Sequence, residues 1–313
     1  MMFAKWSLGK KIGVGFGTIL LLLCVVGVWS LTGISGIVTN ATEVIDGNQL
    51  KALMVEREVD HLKWAGQVAD LIHDEEVTEL NVQTDPQQCA FGKWYYSEDR
   101  KIAEAMVPGL DGLMAQIEEP HNHLHESAIE IGKVFVPADI QLGGFLRESK
   151  TGHLLWTGKV KDVFVEEGLT LSVETDPHKC EFGEWLYSEG TLANKDSDPR
   201  FAAIWNRVEK DHVHLHTGAV HVAEMLATND TLAARSYFIK EIKPSAHKVL
   251  AGIDGFIEMN NNDVAGMQKA AEVYATQTAP NLHKVGSLLA KSGQMVSENV
   301  MTDEQMLRSA QST

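Results

Sequence analysis

The chain has 313 residues, and 27 Lys+Arg against 43 Asp+Glu give it a formal charge of −16. So acidic a balance argues against nucleic acid as a partner, because a phosphate backbone is gripped by clustered Lys and Arg. Apolar residues at 44% and charged residues at 22% exclude collagen-like and wholly disordered classes, and three cysteines are too few for a disulfide scaffold, whereas thirteen histidines are many and bunched.

From Ile12 to Thr42 there is no charged residue, and Gly17 to Trp29 is continuously apolar apart from Thr18. About 12–34 is the length needed to cross a bilayer as a helix. Lys5, Lys10 and Lys11 precede it and Glu43 and Asp46 follow, so the positive-inside rule puts the N-terminus in the cytoplasm and the bulk of the chain outside. The apolar run is long for a cleaved signal and no small-x-small site follows it, which favours an uncleaved, single-pass anchor over residues 1–44.

Beyond the anchor the sequence repeats. Asp60-His61-Leu62-Lys63-Trp64 returns as Gly152-His153-Leu154-Leu155-Trp156, a shift of 92. Thr84-Asp85-Pro86 leading to Cys89-Ala90-Phe91-Gly92-Lys93-Trp94 returns as Thr175-Asp176-Pro177 leading to Cys180-Glu181-Phe182-Gly183-Glu184-Trp185, and His121-Asn122-His123-Leu124-His125 returns as His212-Val213-His214-Leu215-His216, both at a shift of 91. Two copies of one module thus occupy 45–137 and 138–228, with a C-terminal helical segment over 229–313. That segment has a weaker echo, Tyr237 to Val249 against Tyr274 to Val285, which predicts paired helices starting near Pro244 and Pro280.

The fold class expected is all-α, with two four-helix-bundle-like modules. His61, Ala65, Val68 and Ile72 share one helical face, as do His121, Leu124, His125, Ala128, Ile131 and Phe135. Asp85-Pro86 and Asp176-Pro177 predict turns that open a short helix, with Asp as cap and Pro first. Strand character is confined to the brief Leu169–Val173 run.

Each module offers an early His, a Cys after a turn, and a His-x-x-x-His pair whose i, i+4 spacing puts both imidazoles on one side of a helix. The two candidate metal sets are His61, Cys89, His121 and His125, and His153, Cys180, His212 and His216. Three nitrogens and a thiolate suit tetrahedral Zn²⁺, one per module, although ligand softness alone does not separate zinc from Cu or Ni. One such pair is weak evidence, since buried histidines usually serve packing, but four ligand-type residues matched in a duplicate are hard to assign to drift. His123 and His214 point away from the pairs, and His73, His178, His221, His247 and His283 have no matched partners. A Cys89–Cys180 disulfide is the rival use of the thiols, and Cys24 lies in the apolar span. All four positions of each set are filled by protein, and nucleophile motifs and phosphate loops are absent, so no enzyme is expected.

These residues, His61, Cys89-Ala90-Phe91-Gly92-Lys93-Trp94-Tyr95, His121-x-x-x-His125 and their duplicates, resemble the chemoreceptor zinc-binding domain, with its Cys-x-Phe/Leu-Gly-x-Trp-Tyr/Leu motif. Leu8 to Gly17 and the leucine run after it resemble the N-terminus of methyl-accepting chemotaxis proteins. The resemblance implies a periplasmic sensory region in the bacterial inner membrane that responds to metal or oxidant through a zinc-bound thiolate. It further implies a homodimer, and contact with chemotaxis signalling proteins only through a cytoplasmic domain absent from this chain. Modules of this family are more often cytoplasmic, and the 229–313 tail is expected to lead toward a second span. Two other readings are structural zinc supporting small-ligand sensing by the C-terminal helices, and a periplasmic metal-binding protein without signalling.

Overall fold

The computed structural model describes residues 7–74, 76–166 and 168–312. Lys5, one of the lysines ahead of the apolar run, lies outside them. Every regular element among the described residues is helical: α1 (Leu8–His73), α2 (Ala90–Tyr95), α3 (Glu98–Met106), α4 (Leu110–Val134), α5 (Leu142–Asp162), α6 (Glu181–Leu186), α7 (Glu189–Ser197), α8 (Pro199–Ala227), α9 (Thr231–Tyr237), α10 (Lys243–Val273), α11 (Ala279–Asn299) and α12 (Asp303–Ser312). The Leu169–Val173 run is not a strand but irregular chain leading to the Asp176-Pro177 turn.

Helix α1 changes character along its length. An 18-residue window near its start has a mean hydropathy of 2.4 and none of it is buried, so this stretch is long and apolar enough to cross a membrane. From Val44 onward the apolar residues condense to a stripe, and Leu50, Met54, Ala65, Val68 and Leu71 are buried. A helix apolar all round wants lipid, whereas a helix apolar on one stripe wants partner helices.

Two compact units divide the chain, one made of Met1–Lys133 with Glu272–Thr313 and the other of Val134–Ala271. The second is therefore inserted in the sequence of the first, and the residues after 229 are shared out between the two. In the first unit α11 packs along α1, and α12 folds back on α1 as well. In the second, α8 packs against α9 and the π-helical turn Phe238–Ile242. Phe182, Phe256, Leu146 and Leu186 are almost wholly buried there, each contributing about 1.5–3 kcal/mol in apolar burial.

Pro244 and Pro280 lie just inside α10 and α11 rather than at fresh helix starts. Each follows a π-helical turn, Phe238–Ile242 and Tyr274–Thr278, where the widened backbone absorbs the ring and the missing N–H that would strain an ordinary turn. Both turns feed the cores. Thr278 and Ser127 are fully buried, with hydroxyls 2.8 Å apart, while at the corresponding places in the second unit Ile242 lies against Gly218.

Candidate metal centres

The expected helical faces form as the periodicity predicts. His61, Ala65, Val68 and Ile72 are buried on α1, and His121, Leu124, His125, Ala128 and Ile131 are buried on α4. Phe135 is the exception, because α4 ends at Val134 and the ring is only half-buried beyond it.

The Asp-Pro turns differ from expectation in one respect. Asp85 does cap a turn, its carboxylate accepting from the Gln87 N–H at 2.9 Å, but the short helix begins later and its N-cap is the cysteine. The Gly92 N–H donates to Cys89 Sγ at 3.1 Å, and in the second copy the Gly183 N–H donates to Cys180 Sγ at 3.2 Å. A sulfur at the start of a helix faces the positive end of its backbone dipoles, which favours thiolate. The glycine of Phe-Gly-x-Trp has a steric cause. A Cβ at Gly92 would overlap the Pro86 carbonyl oxygen, and one at Gly183 the Pro177 carbonyl oxygen. The turn that presents the cysteine thus packs directly on the helix that it caps.

Early helix, capped turn and late helix bring each set together. The donor atoms of His61, Cys89, His121 and His125 all lie within 4.8 Å of one another, and so do those of His153, Cys180, His212 and His216. Cys89 Sγ is 3.3 Å from His121 Nε2, and Cys180 Sγ is 3.2 Å from His212 Nε2. Such clusters have room for a tetrahedral ion with bonds of about 2.0–2.1 Å to nitrogen and about 2.3 Å to sulfur.

The outer ring nitrogens fix the tautomers. His61 Nδ1 is 2.6 Å from the Arg57 carbonyl oxygen and His153 Nδ1 is 2.8 Å from that of Ser149, each one helical turn back. His125 Nδ1 meets the Gln83 carbonyl oxygen at 2.9 Å, and His216 Nδ1 that of Glu174 at 2.8 Å. A carbonyl oxygen only accepts, so each Nδ1 carries the proton and each Nε2 presents a lone pair inward. The Nε2 atoms of His61, His125, His153 and His216 are buried and have no protein partner. A buried, unpartnered acceptor is costly, and four of them aimed at two thiols fit a pair of bound cations.

Electrostatics point the same way. Burial, reinforced by the neighbouring imidazoles, pushes His121 down to about 3 and His212 to about 2. His125 and His216 fall to about 4, again chiefly through burial and against the pull of their backbone hydrogen bonds. His61 and His153 are lowered by burial too. All six are therefore neutral at pH 7, the state that binds metal. Burial pushes the Cys89 and Cys180 thiols up, opposed by the backbone N–H groups of the helix start; a bound cation would reverse this by removing the proton outright.

Outside the two sets, His123 and His214 are exposed, the latter 3.5 Å from Glu241. His73, His178, His221, His247 and His283 are exposed as well, His178 lying against the Tyr187 ring at 4.3 Å. Cys24, Cys89 and Cys180 are all free thiols. Two supporting residues were missed in the sequence. Trp64 and Trp156 donate their indole N–H groups to the Gln83 and Glu174 carbonyl oxygens at 2.7 and 2.8 Å, the same oxygens that hold His125 and His216. Both tryptophans stood three residues after the first histidine of each copy, which was the signal available.

Among known families, residues 61–131 and 153–223 each match the model of the chemoreceptor zinc-binding domain. No curated protein and no solved structure matches the chain. The chain therefore carries this zinc-binding domain twice in tandem, and each copy contains one His3Cys cluster.

Proposed function

We propose that this chain, with its two tandem chemoreceptor zinc-binding domains, is the membrane-anchored sensory region of a bacterial chemoreceptor. In this reading zinc is held by His61, Cys89, His121 and His125 in one copy and by His153, Cys180, His212 and His216 in the other. The observation that carries it is the convergence, twice, of unpartnered imidazole Nε2 atoms on a free thiol. In this reading the protein is not an enzyme, its own side chains supplying all four ligands of each tetrahedral ion.

The apolar part of α1 is the anchor, and Lys10 and Lys11 on one side of it against Glu43 and Asp46 on the other favour a cytoplasmic N-terminus and periplasmic modules. The chain acts as a homodimer in the inner membrane and reaches chemotaxis proteins through a cytoplasmic signalling region. Sensing works through the thiolate. A peroxide-class oxidant gives one oxygen to sulfur, its O–O bond breaks and hydroxide leaves, and the resulting sulfenic acid is a poorer zinc ligand. Because such sites couple to folding, losing the ligand loosens the turn and the helices that it joins.

Elemental analysis of the detergent-purified full chain before and after mild peroxide tests this. Loss of zinc together with a change in helix packing by near-UV circular dichroism is expected. Zinc retained in full while both thiols are oxidised would contradict it.

A further inference from the structure

We propose that the two zinc sites, though built from the same four residue types, are gated differently: the second opens to small uncharged ligands with nitrogen or sulfur donors, and the first is shut by an ion pair. The inference rests on the zinc reading of both sites. It comes from the shift of 92 that relates the early helices, which carries Arg57 onto Ser149 and Asp60 onto Gly152.

In the first unit Arg57 is largely buried, with 12% of its side chain exposed. It lies 2.8 Å from Asp60 and 2.8 Å from Glu56, and the charges of Arg57 and Asp60 are felt by both His61 and Cys89. By the shift of 92, the ion pair occupies the two positions whose counterparts line a cleft at the second site. His61 also borders a groove of about 420 Å³ along α11, but Cys89 does not line it.

In the second unit the guanidinium and its carboxylate are replaced by a hydroxymethyl and a hydrogen. A cleft of about 260 Å³ opens there, lined by Ser149 and Gly152 and by the site residues His153, Cys180 and His216. A zinc ion bonded at about 2 Å fills only a small part of it. The Ser149 hydroxyl is buried and has no partner, so it is available to a ligand rather than spent on the fold. Trp156 and Phe182 supply apolar walls, and Glu181 puts a carboxylate on the lining, which disfavours anions. Exchange at a four-coordinate zinc starts when an incoming donor reaches the metal, since the site can expand to five ligands. The side that is open thus sets the rate.

The test uses the zinc-loaded full chain in detergent and 1,10-phenanthroline, a neutral aromatic nitrogen chelator, with protein-bound zinc followed over time. Two phases of one zinc each are expected, the fast one about tenfold or more quicker, the scale on which residues just outside a metal site act. Ser149→Arg with Gly152→Asp should slow the fast phase, and Arg57→Ser with Asp60→Gly should bring the slow phase up to it. If the first pair of changes prevents folding, the second pair decides alone. Two zinc ions leaving in a single phase, or phases that neither exchange alters, would overturn the inference while leaving the zinc reading intact. Fewer than two zinc ions at the outset would overturn both.

Discussion

Trp64 and His125, one on α1 and the other on α4, donate to the same acceptor, the Gln83 carbonyl oxygen, at 2.7 and 2.9 Å. Trp156 and His216 do the same on Glu174. One backbone oxygen thus ties the loop before the cysteine to both helices and sets the ring angle of a metal-facing imidazole. Trp64→Phe keeps the ring and removes the donor. We expect a loss of roughly tenfold in zinc affinity at the first site, read by competition with a chelator of known affinity, with the second site unchanged. Equal affinity in the variant would mean that the shared carbonyl does not position His125.

Gly92→Ala and Gly183→Ala should be costly, since the added methyl meets the carbonyl of the proline that starts the turn. Overpacking of this kind costs about 1–3 kcal/mol. At Gly183 the methyl would also lie 3.3 Å from Cys180 Sγ, so the thiol must shift. Thermal melting should fall for both variants, and zinc content should fall at the altered copy only.

The buried histidines fix the sign of a pH dependence for the chelator-stripped chain. Their folded-state values lie well below the ordinary value near 6.5, at about 3 for His121, about 2 for His212 and about 4 for His125 and His216. Below pH 6.5 the unfolded chain binds protons that the folded core refuses, so stability is fully present above that pH and is lost as pH falls toward 4. Melting temperature measured between pH 7.5 and 5 should decline, and His212→Gln should flatten part of the slope. A flat or rising profile toward acid would show that the imidazoles are not desolvated.

The two clusters of four were legible in the sequence because the duplication acts as an internal control, and an i, i+4 pair on a helix leaves little geometric freedom. His61 to Cys89 is harder, since only the folded turn closes that gap, but repetition of both residues at nearly one shift stood in for it. Cys89 as helix cap was not legible: Asp-Pro is the stronger start signal, and sulfur is an uncommon cap. Nor was the destination of the residues after 229. Helical periodicity says which face is buried and nothing about against what, so the local echo around Pro244 and Pro280 pointed to a self-contained pair, whereas α11 lies along α1 some 220 residues earlier in the chain and the Phe238–Ile242 turn lies on α8.

That packing carries its own prediction. Thr278 is fully buried and shares a 2.8 Å hydrogen bond with Ser127, which also donates to the Leu124 carbonyl at 2.6 Å. Thr278→Val keeps the shape and removes one partner, and should cost about 1 kcal/mol, seen as a lower melting temperature with zinc content unchanged. In the second unit Ile242→Thr places a hydroxyl opposite Gly218, where no Ser127 equivalent receives it, and should cost more.

In the proposed reading each copy holds one zinc ion through its own cysteine and three histidines. Zinc per chain, measured by elemental analysis on the full chain, on Cys89→Ala, on Cys180→Ala and on the double variant, should be two, one, one and none. Two zinc ions surviving in the double variant, or none in the unaltered chain, would contradict it.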